Sequence, residues 1–184
     1  MPKAPKGALS HVILFCYDLP KMVRFYTETL GFHRSDEGPA RGETLVFMTL
    51  DPEIDHHMFG LCSGRTGPRD AAVVNHIAFR VGSMTDLRNR YETLRASSEA
   101  SSIDPTNHGS WWSVYFRDPE NNRMEFFVDA PWYVKQPVVT KLDLSLTDEQ
   151  IFETTREKWG VDPTFTPMSE WKARTVKALA EEDA

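Results

Sequence analysis

The feature that most constrains the fold is an internal repeat, because the same order of predicted elements occurs twice along the chain. The first copy begins with a strand over His11–Tyr17, rich in β-branched and aromatic residues, and continues with a helix over Leu19–Leu30. Three further strands are predicted around Phe32–Ser35, Glu43–Leu50 and His57–Cys62. The first copy therefore has the order βαβββ.

The second copy repeats this order, and the two copies begin 65 residues apart, at His11 and His76. Its predicted elements are a strand over His76–Val81, a helix over Met84–Leu94, and strands near Ser101–Ile103, Trp112–Phe116 and Arg123–Val128. Ser83 and Asp86 form a capping box for its helix, as Asp18 caps the helix of the first copy. The sequence thus predicts two βαβββ modules, over about residues 8–62 and 73–130.

The pattern changes after Pro131, where strand character is no longer evident. A helix is predicted over Thr147–Trp159, with Thr147 and Gln150 as a capping box. A second helix is predicted over Pro167–Ala180, with Thr166 as its cap. We therefore expect a helical C-terminal extension over residues 136–184, following a domain over residues 1–135.

The composition excludes several classes of function. A formal net charge of -6 argues against binding to nucleic acid or to an anionic membrane, since either would need clustered Lys and Arg. The apolar runs are too short to span a bilayer, and the N-terminal MPKAPKGALS lacks the apolar segment of a secretory signal. Cys16 and Cys62 lie in apolar runs, which predicts buried free thiols and a cytoplasmic protein.

Three residues could together bind a metal ion. His11 and His76 occupy equivalent places in the two copies, so a pseudo-twofold arrangement would direct both imidazoles towards one interior. Glu125 lies in the run RMEFF, where a buried carboxylate needs a cation or strong hydrogen-bond donors beside it. Two imidazoles and one carboxylate form the facial triad that leaves positions open on Fe(II). The alternative is that each is an ordinary strand residue.

The segment TNHGSWWSVYFRDPENNRMEFF resembles the signature of the type I extradiol dioxygenases, which belong to the vicinal oxygen chelate superfamily. That signature places a His, a Tyr, an Asp-Pro turn and a metal-binding Glu in order, and this chain supplies His108, Tyr115, Asp118-Pro119 and Glu125. The turn position usually held by Gly is Asn121, a residue that tolerates positive φ. The resemblance covers about residues 8–130 and leaves the extension unexplained.

The resemblance implies an α+β fold in which the two modules form one cup-shaped mixed sheet around a metal site. It implies Fe(II), with Mn(II) as the alternative, bound by His11, His76 and Glu125. It also implies an acid–base catalyst at the start of the last strand of the first module. His56 is preferred for that role, but His57 stays open because a shift of one residue reverses the face of a strand.

The remaining implied roles concern the substrate. Tyr115 would donate a hydrogen bond to a substrate oxygen, and His108 would stabilise negative charge further out. The implied activity is extradiol (meta) ring cleavage, in which both atoms of O2 enter a small catechol-type aromatic diol such as a dihydroxybiphenyl. A homo-oligomer is expected to shield the site.

Three alternatives remain on the same fold. A glyoxalase-like isomerase would take a fourth ligand, typically Glu, from the last strand of the first module, where this chain has His56-His57. A fosfomycin-type thiol transferase would need a cationic pocket, and the signature region offers only Arg117 and Arg123. A metal-free resistance protein that binds a planar drug would have no use for the triad.

Overall fold

The computed structural model describes residues 8–182, which form two compact units. The first unit contains the described residues up to Ala72 together with Asp118–Asn121. The second contains Val73–Arg117 and the described residues from Asn122 onward. Residues 1–7 belong to the N-terminal stretch that is predicted not to be a secretory signal. They lie outside the described residues.

The first unit has the predicted βαβββ order. Its elements are β1 (Val12–Phe15), α1 (Leu19–Arg24), β2 (His33–Ala40), β3 (Glu43–Thr49) and β4 (Phe59–Cys62). The four strands form a mixed sheet in the order β1-β4-β3-β2, with β1 parallel to β4 and the other pairs antiparallel. The first and last strands of the module are therefore neighbours.

The first helix ends differently from the prediction of one regular helix. It begins as expected, since the Asp18 carboxylate accepts a hydrogen bond from the Lys21 amide at 3.0 Å. After Arg24 the chain continues as a π-helical turn over Phe25–Thr29, and Gly31, at φ 68°, ends it. This turn buries the rings of Phe25 and Tyr26 in the core.

The second unit repeats the same topology and extends it. Its elements are β5 (Ile77–Arg80), α2 (Met84–Ala96), β6 (Ser101–Asn107), β7 (Trp111–Arg117), β8 (Arg123–Asp129), β9 (Trp132–Tyr133), β10 (Thr140–Lys141), α3 (Asp148–Trp159), β11 (Thr166–Pro167) and α4 (Met168–Glu182). Its main sheet has the order β10-β6-β7-β8-β5, with β5 parallel to β8. The predicted repeat and the α+β class are thus confirmed.

The two faces of this sheet have different neighbours, because side chains alternate along each strand. On one face, Val114 and Phe116 of β7 and Met124 and Phe126 of β8 are buried, and α2 packs on these strands. The Phe116 and Phe126 rings stack with centroids 5.6 Å apart. The opposite face therefore remains for the cavity described below.

The prediction that the extension lacks strands is wrong. β10 joins the edge of the main sheet through the pairs Thr140↔Asn107 and Lys141↔Thr106, and β11 pairs with β9. Each of these strands has two residues, too few for alternation of polar and apolar residues to be visible. Thr166 consequently lies in β11 rather than capping α4, which begins at Met168.

The helix α3 is joined to the sheet by the buried hydroxyl of Thr155. Its oxygen accepts hydrogen bonds from Asn107 Nδ2 at 2.8 Å and from Trp112 Nε1 at 3.0 Å. The same hydroxyl donates to the Ile151 carbonyl at 2.7 Å. The predicted capping box of Thr147 and Gln150 begins this helix and is confirmed.

Cys16 and Cys62 are free and buried, as predicted. Burial raises the pKa of the Cys16 thiol to about 12. Within residues 8–182, no helix combines the length and the apolarity needed to cross a membrane.

Replacing Thr155 with Val should lower the free energy of unfolding by about 2–4 kcal/mol, because it leaves two buried donors, on Asn107 and Trp112, without an acceptor. Urea denaturation would measure the loss. Thr154→Val is the matched control, since the Thr154 hydroxyl only donates to carbonyls of its own helix. A control loss within about 0.5 kcal/mol is expected, and equal losses in both variants would contradict the role of Thr155.

Candidate active site

A cavity of about 1420 Å³ lies within the second unit. Alternate residues of three strands line it, including Ala78 of β5, Trp111 of β7 and Phe127 of β8. The extension contributes further walls, among them Tyr133 and Trp171. The cavity is therefore largely apolar, with a few polar groups on the strands.

The principal polar pair in the cavity is His76 with Glu125. His76 Nε2 lies 3.1 Å from Glu125 Oε2, and the side chains are 34% and 4% exposed, respectively. Backbone pairing produces this contact, because His76 immediately precedes β5 and Glu125 lies opposite Ala78 in the parallel β5–β8 pair. His76 Nδ1 is 2.7 Å from Asn75 Oδ1. The two ring nitrogens of His76 thus have separate partners: Nδ1 contacts Asn75, and Nε2 is directed at the Glu125 carboxylate.

The buried carboxylate of Glu125 has a second partner, Ser113, whose hydroxyl donates a short hydrogen bond to Oε1. Ser113 is fully buried and lies on the same face of β7 as Tyr115, two residues away. A buried carboxylate needs such donors or a cation to offset its desolvation. His76 and Ser113 together hold both carboxylate oxygens in defined directions.

Tyr115 and His108 form a second hydrogen-bonded pair beside the first. Tyr115 stands opposite Glu125 in the β7–β8 register, and its ring meets that of His76 edge-on, with centroids 5.4 Å apart. His108 Nε2 is 3.1 Å from the Tyr115 hydroxyl, while its Nδ1 is 2.6 Å from the Val138 carbonyl oxygen. Because a carbonyl only accepts, Nδ1 carries a proton, and Nε2 is the nitrogen that faces the Tyr115 hydroxyl.

The phenol of Tyr115 is held in its neutral form. Burial raises its pKa, and the neighbouring Glu125 carboxylate raises it further. The Arg123 guanidinium, 4.1 Å from the centre of the Tyr115 ring, opposes this shift, as does the Ser113 hydroxyl. Tyr115 is therefore a hydrogen-bond donor across the neutral pH range.

The other predicted residues lie in the first unit. His11 immediately precedes β1, and its ring centroid is 4.6 Å from that of His57. His57 also contacts Phe47, at 4.5 Å between centroids, and its pKa is lowered by burial and then by His11 and His56. His56 is more exposed, with Nε2 2.9 Å from an Asp36 oxygen and Nδ1 2.9 Å from His57 Nδ1.

Within each unit, then, the structure brings some of the predicted residues together. His76, Glu125, Tyr115 and His108 adjoin one another in the second unit, and His11, His56 and His57 do so in the first. In the described part of the chain, neither set is arranged as a group of three His, Cys, Asp or Glu able to hold a metal ion.

The strand register corrects one correspondence between the modules. Two residues after His76, Ala78 pairs with Glu125; two residues after His11, Ile13 pairs with Gly60. The first-module equivalent of Glu125 is therefore Gly60, and not the His56-His57 pair assigned from the sequence. A Cβ at Gly60 would come within 3.2 Å of Ile13 and of the Val46 carbonyl oxygen, so a longer side chain there would require movement.

Sequence reasoning missed several groups that contact the predicted residues, among them Ser113, Asn75 and the Val138 carbonyl. Ser113 could have been found, since a Ser two residues before Tyr115 in an aromatic strand shares the face of that Tyr. Val138 could not, because its backbone contact depends on the path of the extension.

Residues 8–126 match the Glyoxalase/Bleomycin resistance protein/Dioxygenase superfamily, and the chain belongs to this superfamily. Biphenyl-2,3-diol 1,2-dioxygenase 3 of Rhodococcus globerulus is 35% identical over 126 residues, or 66% of this chain and 63% of that protein. Biphenyl-2,3-diol 1,2-dioxygenase 2 of the same organism is 33% identical over 133 residues, or 70% and 65%. The chain thus spans somewhat less than two thirds of these relatives.

Solved structures share the fold. A glyoxylase/bleomycin resistance protein/dioxygenase domain from Frankia sp. EAN1pec is 25% identical, with a TM-score of 0.58 over 68% of this chain and all of that one. The fosfomycin resistance protein FosX from Listeria monocytogenes, solved with Mn(II) and sulfate, is 19% identical, with a TM-score of 0.53 over 68% and 95%. The second likeness concerns the fold alone.

The raised pKa of Tyr115 predicts that its phenol stays protonated where an unperturbed tyrosine, with a pKa of about 10, ionises. Ultraviolet titration of the native protein to about that pH should therefore give the same phenolate absorbance for wild type and Tyr115→Phe. In denaturant the same substitution should remove the signal of one of five tyrosines. If the native variant instead shows one tyrosinate fewer than native wild type at that pH, the pKa of Tyr115 is not raised.

Proposed function

We propose that the protein is an Fe(II)-dependent extradiol dioxygenase that cleaves the ring of an aromatic diol. The observation that carries this proposal is the buried Glu125 carboxylate beside His76 Nε2, in an aromatic-walled cavity. The names of the two Rhodococcus relatives support a biphenyl-2,3-diol as the substrate class. Dioxygen is the second substrate, and both of its atoms enter the product.

The chemistry of the proposed donors suits a divalent metal ion. Glu125 supplies a buried anionic oxygen, and His76 directs Nε2 at that carboxylate while Nδ1 is engaged by Asn75. We propose His11 as the third ligand, because it occupies in the first module the position that His76 occupies in the second. A bound Fe(II), or Mn(II) as the alternative, would supply Lewis acidity towards the diol oxygens and the redox chemistry that activates dioxygen.

The protein's own groups would handle protons and orient the substrate. The protonated Tyr115 hydroxyl can donate a hydrogen bond to a substrate oxygen when it turns from His108 Nε2. His108, fixed by the Val138 carbonyl, would hold the Tyr115 hydroxyl in place until the diol binds. The apolar walls, among them Trp111 and Phe127, would exclude water and hold the ring.

The acid–base role falls to His56 or His57, which would accept a hydroxyl proton from the diol and later return it. Contact with His11, the proposed ligand, supports His57. His56 instead contacts Asp36, with Nε2 2.9 Å from a carboxylate oxygen that would orient its ring. Both residues therefore enter the test below.

A glyoxalase-like isomerase is the second candidate. It is disfavoured because the position equivalent to Glu125 in the first module is Gly60, which has no side chain to serve as a fourth ligand. For a fosfomycin-type transferase, the cationic requirement is only partly met: of the two cationic side chains that line the cavity, Arg80 is paired with Asp129 at 2.8 Å and Lys172 belongs to the extension.

The direct test loads the purified protein with Fe(II) under nitrogen and then supplies air and biphenyl-2,3-diol. A yellow ring-opened product, with one O2 consumed per diol, is expected. His76→Ala should lose both metal binding and product, because it removes a ligand. His56→Phe and His57→Phe should bind metal, and the one that loses turnover identifies the acid–base residue.

Bound metal with no ring cleavage across a panel of aromatic diols would instead favour the isomerase or the transferase. A protein that binds no divalent metal would exclude the triad and leave a metal-free resistance protein as the better interpretation.

The Ser113 hydrogen bond generates a separate prediction. Ser113→Ala should weaken Fe(II) or Mn(II) binding by about 10–100-fold, because Ser113 orients the proposed Glu125 ligand. Anaerobic calorimetric titration would measure the affinity. Ser169→Ala is a suitable control, since Ser169 also lines the cavity but belongs to α4. Unchanged affinity in Ser113→Ala would mean that Glu125 does not bind the metal in this orientation.

A further inference from the structure

The cavity extends beyond the part of the chain that matches the superfamily. The match ends at residue 126, yet just over half of the residues that line the cavity come from Ala130 onward. They include Tyr133, Val139, Phe152, Met168 and Trp171. The titratable site residues His76, Glu125, Tyr115 and His108, by contrast, all precede them. The His, Tyr and Glu side chains of the candidate site and the added aromatic wall thus come from different parts of the second unit.

The centre of the added wall is a stacked pair of rings, Tyr133 and Trp171. Their centroids are 4.8 Å apart and their planes differ by 16°. Backbone contacts hold the segments that carry the two rings, since β9 pairs with β11 at Thr166↔Tyr133 and the amide of Met168, the first residue of α4, donates to the Pro131 carbonyl at 2.9 Å. Such an anchored, flat aromatic surface is suited to stacking against another planar ring.

The dimensions of the cavity leave room for a ligand longer than one ring. Sites for drug-sized ligands occupy roughly 300–1000 Å³, and this cavity is about 1420 Å³. Glu125 and Asp129 both line it and are four positions apart on strand β8, roughly 13 Å of extended chain. The added wall begins beyond Asp129, so it lies at the far end of the strand from the carboxylate.

We propose that the extension forms the subsite for the second ring of a bicyclic aromatic diol, with the Trp171–Tyr133 pair as its wall. This inference rests on the proposed function, and it makes Trp171 a residue that determines substrate selectivity. The diol-bearing ring occupies the strand end of the cavity, beside His76 and Glu125. The unreactive ring extends towards α4 and stacks on Trp171.

The test compares biphenyl-2,3-diol with unsubstituted catechol in wild type, Trp171→Ala and Trp171→Phe. The ratio of kcat/KM for the bicyclic diol to that for catechol should fall about tenfold in Trp171→Ala, through KM rather than kcat. Trp171→Phe should recover most of the ratio, because a ring remains. Leu179→Ala, on the same helix but 55% exposed and not among the lining residues, should keep the wild-type ratio.

A purely structural role of Trp171 would reduce both substrates equally, and that result, or an unchanged ratio in Trp171→Ala, would overturn the inference. If wild type cleaves neither diol, the proposed function fails. The subsite is then tested separately, by calorimetric measurement of biphenyl-2,3-diol binding under nitrogen. Weaker binding in Trp171→Ala than in Leu179→Ala would support it. Equal binding in the two variants, or none in wild type, would overturn it.

Discussion

The candidate site depends on the parallel pairing of the first and last strands within the second module. Because β5 lies beside β8 in a fixed register, the residue before β5 meets the side chain at the third position of β8. The imidazole of His76 and the carboxylate of Glu125 are thus brought together by backbone hydrogen bonds of the sheet, which are stable without any ligand. Ser113, on the antiparallel neighbour β7, then offsets part of the desolvation of Glu125. Loss of this register would remove the site and the core together.

Much of the fold could be predicted from local signals. The helix α2 begins directly after Ser83, and α3 directly after Thr147, as their capping residues indicate. Asn121, at φ 69°, adopts the left-handed conformation expected of the turn that the family usually builds with Gly. The two-residue strands of the extension could not be predicted, because they arise from pairing with distant residues and leave no periodicity of their own. The π-helical turn after Arg24 could not be predicted either, because the apolar residues there are spaced as in an ordinary helix.

For the site, the sequence signature located the residues but not their relations. Repeat symmetry suggested His11 and His76, and the motif suggested His108, Tyr115 and Glu125. The strand register shows that Gly60 is the first-module counterpart of Glu125. The repeat period of 65 residues could have given the same counterpart from the sequence, since Gly60 follows His11 at the spacing at which Glu125 follows His76. Hydrogen bonds made by backbone carbonyls, such as that of Val138, depend on the path of the chain and not on side-chain identity.

The bond between His108 and the Val138 carbonyl has a consequence for recombining this chain with its relatives. His108 belongs to the family signature, but its backbone partner Val138 lies twelve residues past the end of the superfamily match. A chimaera joined at β8 would therefore receive His108 from one parent and the segment that carries the Val138 carbonyl from the other. A crossover point after Val138 keeps both partners of this hydrogen bond on a segment from one parent. The suitable junction for such chimaeras therefore lies inside the extension and not at the end of the superfamily match.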